Sequence, residues 1–334
     1  MTSSSSNSKN KPFVLQPAGK DYLWGGNRLN DDFSKALDMS PLAETWECST
    51  HPDGPSTVGS GEYQGMPLSD LIRLRPDFLG EKYQGCTELP ILVKFIDADK
   101  DLSVQVHPDD DYAKAYENGQ LGKTEMWFVM DANPGSKLIY GLHQSVDKAV
   151  FRRSIFDGTV EKYLQKVPVR KGDIFFIEPG TIHALGAGTL VAEIQENSNL
   201  TYRIYDYNRV DKTGNKRVLH VDRALAVASL NAAEEPRQPL RVLRYKRGWA
   251  SELLCRCKYF QVERLLFNTE RCRGMAEIKS ESLVFQVFLC IAGCCSISFG
   301  NDHLNIFKGD CIFVPANSYT LHIHGSCEML RVMC

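Results

Sequence analysis

Short runs of β-branched and aromatic residues, broken by Gly, Pro, Asn or Asp, recur along most of the chain. Such runs with frequent turn residues predict many short strands, and they favour a β-sandwich or β-barrel over a βαβ sheet. The clearest runs are 90–96, 125–130, 172–177 and 190–194. Helical periodicity is confined to 109–118, 146–154 and 221–230. The sequence therefore predicts a mainly β fold with few helices.

An internal repeat divides this β-rich sequence into two related parts. The segment 171–177 reads KGDIFFI, and 308–314 reads KGDCIFV. Extending the alignment without a gap places Asn317 opposite Gly180, a substitution that suits a position with positive φ. It also places Thr320 opposite His183, so the second copy lacks a histidine that the first copy has. We expect two related β domains, of which the second has lost this metal-ligand type.

Composition limits the partners and the location of the protein. The 39 Lys and Arg residues nearly balance the 41 Asp and Glu residues, so the net charge of -2 gives no reason to bind nucleic acid. No apolar stretch reaches the ~18–20 residues of a membrane span, and the N-terminus lacks the apolar core of a signal peptide. We therefore expect a cytoplasmic protein with no nucleic-acid or membrane partner. The polar residues 1–11 predict a disordered tail, and NAAEEPRQP at 231–239 predicts a linker.

The segment LSVQVHP places three polar side chains on one face of a predicted strand. Because strand side chains alternate, Ser103, Gln105 and His107 point to one side while Val104 and Val106 point to the other. The polar face suits a cavity wall or the solvent, and a lone histidine on such a strand is often structural. The segment also supplies two metal-ligand types, an imidazole and an amide oxygen.

Two further segments supply an imidazole and a carboxylate. Lys123 and Glu125 share a strand face, which is equally typical of a salt-bridged edge strand. The segment GDIFFIEPGTIH, which ends at His183, resembles the second sequence motif of the cupin superfamily, whose small β-barrels hold a metal ion. Gln105, His107, Glu125 and His183 together form a donor set that suits Zn²⁺. The same set also accommodates Fe²⁺ or Mn²⁺, because it contains no thiolate.

A fourth segment, VAEIQENSNLTYRIYD, carries Glu193 on a strand and Arg203 beyond a polar turn. An arginine beside tyrosines is often a packing residue. As a fork of parallel N–H donors, it would bind a phosphate or an enediolate.

The order and spacing of these pieces closely resemble the type I mannose-6-phosphate isomerase family, in the short form common in bacteria. The resemblance covers about residues 22–210 and includes LWGG from Leu23, AETWECSTHPDGPS from Ala43, LSVQVHPD from Leu102 and EPGTIHAL from Glu178. It implies two cupin-like jelly-roll β-barrel domains, with a few helices added to the first. The expected boundaries are a tail at 1–11, a catalytic metal-binding domain at 12–236 and a degenerate cupin-like domain at 237–334.

The resemblance also implies an activity and a set of site residues. The implied reaction is a zinc-dependent interconversion of mannose 6-phosphate and fructose 6-phosphate, with one Zn²⁺ per chain. The implied zinc ligands are Gln105, His107, Glu125 and His183. The essential arginine is Arg203, and the residues near the substrate are Lys94, Lys123 and Ser103. Two positions depart from the family pattern: Asn199 replaces an aspartate found in many members, and Gly122 replaces a histidine of longer members.

The chemistry of this reaction leaves some roles open. An aldose–ketose isomerase moves a proton between C1 and C2, and positive charge near the two oxygens stabilises the enediolate. Lys123, Glu193 and a metal-bound water are the alternatives for the base. Glu193 is also a candidate substrate-binding residue. Lys94, Lys123 and Arg203 are the candidate cations for the phosphate.

Two alternative functions fit the same residues. One is a different metal-dependent cupin enzyme acting on sugar phosphates, and the other is a non-catalytic sugar-binding cupin. In every case the expected partner is a small sugar phosphate or sugar, and the sequence predicts no particular oligomeric state.

Overall fold

The computed structural model describes residues 9–210, 214–236, 238–272 and 274–334, and this part of the chain is mainly β, as predicted. Its strands are β1 (Phe13–Gln16), β2 (Ala18–Lys20), β3 (Glu44–Cys48), β4 (Thr57–Val58), β5 (Ile91–Ala98), β6 (Val104–Val106), β7 (Glu125–Ala132), β8 (Lys137–Leu142), β9 (Leu164–Pro168), β10 (Ile174–Ile177), β11 (His183–Ala184), β12 (Thr189–Glu196), β13 (Tyr202–Tyr205), β14 (Arg244–Lys246), β15 (Trp249–Arg256), β16 (Gln261–Asn268), β17 (Ala276–Ile278), β18 (Gln286–Phe299), β19 (Asp302–Phe307), β20 (Cys311–Val314) and β21 (Leu321–Met333).

Helices are few and short, as the limited helical periodicity predicts. They are α1 (Arg28–Asp31), α2 (Leu68–Leu74), α3 (Asp110–Tyr116), α4 (Lys148–Phe156) and α5 (Val221–Val227), with 3-10 helices at Pro76–Leu79, Glu81–Tyr83 and Val160–Tyr163. Asp109 and Asp147 cap α3 and α4, because each side chain accepts hydrogen bonds from backbone N–H groups of the first turn. None of the described helices combines the length and apolar content that crossing a bilayer requires.

Contacts divide the chain into two units that are not continuous in sequence. The first unit comprises Met1–Ala18, Glu47–Pro90 and Arg241–Cys334, and the second comprises Gly19–Trp46 and Ile91–Leu240. The boundary between Leu240 and Arg241 falls close to the predicted linker at 231–239. Two earlier segments, Met1–Ala18 and Glu47–Pro90, lie in the same unit as the C-terminal strands, although we assigned most of their residues to the first domain. The reason is long-range pairing within that unit, since β1 pairs with β20 and with β4. The predicted domain boundaries, 12–236 and 237–334, stay a prediction.

The last residues of the predicted disordered tail, 9–11, are among the described residues, and Asn10 is ordered there. Residues 1–8 lie outside the described residues. Asn10 forms an isolated bridge with Ser318, and the Ser318 hydroxyl donates a hydrogen bond of 2.7 Å to the Asn10 carbonyl oxygen. Order in this segment therefore begins before Pro12.

The second unit contains the elements that build the candidate site. One six-stranded sheet has the order β10-β7-β12-β5-β3-β2, and a five-stranded sheet has the order β13-β6-β11-β8-β9. A core cluster joins residues of both sheets, with Trp127 and Val191 from the first and Leu138 and Val167 from the second. The two sheets therefore pack face to face, as in a sandwich. On the other face of the five-stranded sheet, a second cluster includes residues of α4 and α5.

The first unit contains a ten-stranded antiparallel sheet. Its main path runs β14-β15-β16-β21-β18-β20-β1-β4, with β17 on β21 and β19 on β18. The long strands β18 and β21 pair along most of their length, and residues from both contribute to one apolar cluster.

The internal repeat is structural as well as sequential. The strands β10 and β20 occupy equivalent positions in the two copies. The Asp173 carboxylate accepts a 2.8 Å hydrogen bond from the Arg170 N–H, and the Asp310 carboxylate accepts one of 2.8 Å from the Phe307 N–H. The turn that follows has a φ of 85° at Gly180 and 54° at Asn317. The expected exchange of glycine for asparagine at a left-handed position is therefore confirmed.

Asn317 gives a test of this backbone requirement. Asn317→Gly should leave the free energy of unfolding within a few tenths of a kcal/mol, whereas Asn317→Val should lower it by about 1–2 kcal/mol, because a β-branched residue is strained at positive φ. Chemical denaturation measures both values. Asn305→Val, at an exposed position of β19, is the control and should cost no stability. An Asn317→Val protein as stable as the native chain would contradict the strain argument.

Candidate active site

The facing sheets of the second unit bring polar residues of six segments into one buried region. In the five-stranded sheet, Gln105 pairs with His183 on one neighbouring strand and with Arg203 on the other. In the six-stranded sheet, Lys94 pairs with Glu193. Strand alternation explains the outcome: Val104 and Val106 join the apolar cluster beneath the sheet, so the polar side chains between them face the other sheet.

Three side chains from separate segments form a compact cluster. His107, Glu125 and His183 are all buried, and each offers a ligand atom within 4.8 Å of the others. The Nε2 atom of His107 lies 3.6 Å from one oxygen of Glu125, and the Nε2 atom of His183 lies 3.2 Å from the other. It is the only such group among the described residues.

Backbone carbonyls orient both imidazoles. The Nδ1 atom of His107 lies 2.7 Å from the Leu200 carbonyl oxygen, and the Nδ1 atom of His183 lies 2.8 Å from that of Thr181. Each Nδ1–H therefore donates to a carbonyl, which leaves each Nε2 lone pair directed at Glu125. Outer hydrogen bonds of this kind fix the tautomer that a metal-binding histidine needs.

Burial and neighbouring charge set the ionisation of the cluster. Burial, together with the Lys123 ammonium, holds the pKa of His107 well below its usual value, so the ring is neutral. Burial alone would raise the pKa of Glu125, but the Lys123 ammonium and the imidazoles lower it well below the usual range. The Nζ atom of Lys123 lies 2.7 Å from Glu125. The cluster is thus a carboxylate beside a neutral His107 ring and the His183 ring, whose Nδ1 is held by a carbonyl.

The donor set fits a divalent metal ion. Imidazole nitrogens and a carboxylate oxygen are ligands that Zn²⁺ accepts. The ligand atoms of His107, Glu125 and His183 all lie within 4.8 Å of one another, close enough to share one ion. The amide of Gln105 lies 3.3 Å from His183, and turning the amide over would present its oxygen as a fourth ligand.

Beside this cluster lies an alternating set of lysines and glutamates. The Nζ atom of Lys94 is 3.3 Å from Glu193 and 3.7 Å from Glu44, and that of Lys123 is 3.6 Å from Glu193. Burial would lower the pKa of Lys94, but the Glu44 and Glu193 carboxylates raise it, so this lysine stays charged. The indole N–H of Trp127 donates to Oε2 of Glu193, and the Oε1 atom of Glu193 faces the two lysines.

These groups line a cavity of about 260 Å³ within the second unit. Lys94, Lys123, Glu193 and Gln105 lie at one part of the wall, together with Glu44. The remaining lining residues are Tyr22, Trp24, Ile96, Leu102, Ser103, Trp127, Leu185, Asn199, Thr201, Arg203 and Arg217. The lining is mostly polar, which suits a small hydrophilic ligand.

A cationic group forms another part of the cavity wall. The Ser103 hydroxyl accepts a 3.1 Å hydrogen bond from Nε of Arg203 and a 2.7 Å bond from a terminal nitrogen of Arg217. It donates to the Asp206 carboxylate over 3.0 Å. Burial and the nearby Arg217 lower the pKa of Arg203. Arg209 also binds Asp206, but it does not line the cavity.

The structure brings together every residue that the sequence singled out. The predicted ligands Gln105, His107, Glu125 and His183 lie side by side. The remaining predicted site residues, Lys94, Lys123, Ser103, Glu193 and Arg203, all line the cavity. Their roles stay predictions.

Sequence reasoning missed three residues of the site. Glu44 lies in a segment that carried the family resemblance, so its position was a usable signal. Arg217 lies in a polar, charge-rich stretch and gave no signal. Asp206 ends the segment that was singled out for Glu193 and Arg203, but its contact with Ser103 is not visible in the sequence.

The fold and the site define a cupin-type β protein with a buried His–Glu–His cluster beside a polar cavity. Comparison with known families is consistent with this class. The family model of the type I phosphomannose isomerase catalytic domain matches residues 13–135, and the model of the mannose-6-phosphate isomerase cupin domain matches residues 253–334.

Individual relatives match over almost the whole chain. The mannose-6-phosphate isomerase of Streptococcus mutans is 32% identical over 320 residues, which are 96% of this chain and 97% of that protein. Mannose-6-phosphate isomerase ManA of Bacillus subtilis is 39% identical over 67% of this chain and 70% of its own length. The crystal structure of the mannose 6-phosphate isomerase from Bacillus subtilis superposes with a TM-score of 0.88 at 32% identity, covering 97% of this chain and 99% of that one. The chain belongs to the type I mannose-6-phosphate isomerase family, and it is an isomerase.

Glu196, next to the site on β12, gives a test of the buried electrostatics. Burial and the nearby Asp110 raise the pKa of Glu196 to about 7, although its carboxylate accepts a 2.7 Å hydrogen bond from the Thr124 N–H. The folded protein thus holds a proton that the unfolded chain releases above about pH 4.3. The stability that the protonated Glu196 contributes is therefore fully present below about pH 4.3, and it is lost as the pH rises through the folded-state pKa of about 7.

Glu196→Gln removes this titration. Relative to the native chain, the variant should gain about 2–3 kcal/mol in free energy of unfolding between pH 5 and pH 8. Chemical denaturation at the two pH values measures the difference. Glu178→Gln, which removes an exposed carboxyl group, controls for the change in net charge. Equal pH dependence of the native and Glu196→Gln proteins would contradict the raised pKa.

Proposed function

We propose that this chain interconverts mannose 6-phosphate and fructose 6-phosphate as a zinc-dependent aldose–ketose isomerase. The observation that carries the proposal is the buried cluster of His107, Glu125 and His183, with Gln105 beside it, at a polar cavity of substrate size. The names of the relatives that match the whole chain support the choice of substrate.

In this proposal, Gln105, His107, Glu125 and His183 hold one Zn²⁺ ion. When bound, the ion supplies Lewis-acid chemistry that polarises the sugar oxygens at C1 and C2. The two imidazoles are pre-oriented by backbone carbonyls, and the buried Glu125 carboxylate supplies the negative charge. Zinc is favoured over softer ions because the set contains nitrogen and oxygen donors and no thiolate.

We assign the proton transfer to Glu193 and Lys123. The Oε1 atom of Glu193 faces the ammonium groups of Lys94 and Lys123, at 3.3 and 3.6 Å. From this position the carboxylate takes the proton from C2 of the aldose and returns it to C1, while the Lys123 ammonium donates a proton to O1 and recovers one from the O2 hydroxyl. Lys94 remains protonated and stabilises the negative charge that develops on the sugar oxygens.

Arg203 adds fixed positive charge beside the reacting carbons. Its backbone lies opposite Gln105 in the register of β13 and β6, and its Nε is held by Ser103. A guanidinium that is already oriented stabilises an enediolate without reorganisation during the reaction.

The same proposal covers location and organisation. The enzyme acts in the cytoplasm, with the catalytic metal-binding domain at 12–236 and a degenerate cupin-like domain at 237–334. The loss of the histidine in the second repeat supports this division, because Thr320 stands where the first copy has His183.

Metal removal tests the function directly. The purified protein should convert mannose 6-phosphate to fructose 6-phosphate in a coupled assay, lose this activity after chelation and regain it when Zn²⁺ is returned. Fe²⁺ and Mn²⁺, added separately, show whether zinc is the ion that restores turnover. Turnover that survives complete metal removal would contradict the proposed site.

Replacement of Arg203 tests the charge at the reacting carbons. Arg203→Ala should lower kcat by about 10²–10³-fold, the usual loss when one oriented donor to a developing oxyanion is removed. Steady-state kinetics with mannose 6-phosphate measures the change. Arg152→Ala is the control, because Arg152 pairs with Asp222 and does not line the cavity. If Arg203→Ala kept near-native kcat, the assigned role would be wrong.

A further inference from the structure

We propose that Arg217 binds the phosphate group of the substrate, and that Asp206 is the residue that positions it. The inference rests on the proposed function and extends it, because it assigns the determinant of phosphate specificity to a residue outside the metal cluster. Three features support it: the hydrogen-bond network around Ser103, the balance of charge along the cavity, and the spacing between Ser103, just before β6, and Gln105 within β6.

The part of the cavity near Ser103 carries a surplus of positive charge. Arg203, Arg209 and Arg217 surround a single acidic partner, Asp206, so the group has two positive charges in excess. No carboxylate of the described residues lies within ion-pair distance of the Arg203 guanidinium. A phosphate monoester at neutral pH has a charge close to -2, which complements this surplus.

Two guanidinium groups of this wall have donors to spare. Arg203 uses Nε and one terminal nitrogen, which donate to Ser103 and to the Val218 carbonyl. Arg217 uses Nε and one terminal nitrogen, which donate to Asp206 and Ser103. In each group the other terminal nitrogen has no hydrogen-bond partner among the described residues, and both side chains line the cavity. The spare nitrogen of Arg217 suits an oxygen of the phosphate, and that of Arg203 is left for the sugar oxygens.

The two lysines of the cavity are already committed to carboxylates. Lys94 lies 3.3 Å from Glu193 and 3.7 Å from Glu44, and Lys123 lies 2.7 Å from Glu125. A phosphate placed beside them would face three carboxylates offset by only two lysines, whereas the group around Ser103 has one carboxylate and three arginines, and like charges at short range repel. The arginine wall is therefore the better site for the dianion.

The spacing between Ser103, just before β6, and Gln105, within β6, fits the length of the substrate. Gln105 contacts His183 at the metal cluster, and Ser103 contacts both arginines. Side chains two residues apart on a strand lie about 7 Å from each other. The six bonds from C2 to phosphorus in an extended sugar phosphate, each of about 1.5 Å, span a similar length. With its phosphate at Arg217, the substrate places C1 and C2 near the metal ligands.

Asp206 fixes the direction of the Arg217 side chain. Its carboxylate accepts a 2.8 Å bond from Nε of Arg217 and is itself anchored by Arg209 and Ser103. Burial would raise the pKa of Asp206, but the bonds from Arg217 and Arg209 hold it below the usual value, so the anchor stays ionised. The guanidinium is thus pre-oriented before the substrate arrives.

Arg217→Met in the full, zinc-loaded enzyme tests the assignment. The KM for mannose 6-phosphate should rise about 10–100-fold while kcat changes less than threefold, because the lost hydrogen bonds are made to a group that does not react. The affinity for inorganic phosphate, measured by calorimetry, should fall by a similar factor. The KM and the phosphate affinity of Arg217→Lys should lie between those of the native enzyme and those of Arg217→Met, since lysine keeps the charge but loses the planar fork.

Arg209→Met is the matched control, because it removes a second arginine from the same carboxylate without removing a cavity-lining side chain. Its KM should rise by less than a third of the factor found for Arg217→Met. A native KM and native phosphate affinity in Arg217→Met would overturn the assignment, as would equal effects of the two replacements. If the native enzyme itself fails to turn over mannose 6-phosphate, the proposed function fails, and phosphate binding by calorimetry still decides the role of Arg217.

Discussion

The buried carboxylate of Glu125 is the constraint on which the site depends. A carboxylate enclosed between two sheets is unstable unless positive charge or hydrogen bonds compensate it. Here the Lys123 ammonium lies 2.7 Å from one Glu125 oxygen, and two imidazoles whose Nδ1 atoms are held by backbone carbonyls lie beside it. The carboxylate and the two imidazoles converge closely enough to form a donor set that a divalent cation can bind. Stability and function are therefore linked at this residue.

The facing sheets explain why so many charged groups tolerate burial. Between the facing sheets, one apolar cluster and the polar residues share the interior, while a second apolar cluster covers the other face of the five-stranded sheet. Within that interior the charges are arranged along the cavity, with carboxylates and lysines near the metal cluster and arginines near Ser103. A substrate with an anionic end and a reacting end matches this polarity. The geometry thus selects an orientation as well as a ligand class.

Local patterns in the sequence were sufficient to predict the strands β5, β7, β10 and β12, the helices α3, α4 and α5 and most of the site, but not α1 or α2. The strict alternation around Gln105, the strand–turn pattern before His183 and the repeat at 308–314 all depend on near neighbours, and the structure has each of them. The pairing of β1 with β20 was not predictable, since nothing in FVLQ indicates which distant strand it joins. Arg217 was missed for a similar reason, because its partners Ser103 and Asp206 are brought to it only by the tertiary fold.

X-ray absorption at the zinc edge of the purified protein tests the central claim most directly. The account predicts one tightly bound Zn²⁺ with nitrogen and oxygen ligands at about 2.0–2.1 Å, two of them imidazoles, and no sulfur in the coordination sphere. Sulfur at about 2.3 Å would contradict it, because the ion would then be bound by cysteines elsewhere in the chain. The same spectrum on Glu125→Gln should show the loss of the bound ion, and an unchanged spectrum would remove Glu125 from the site.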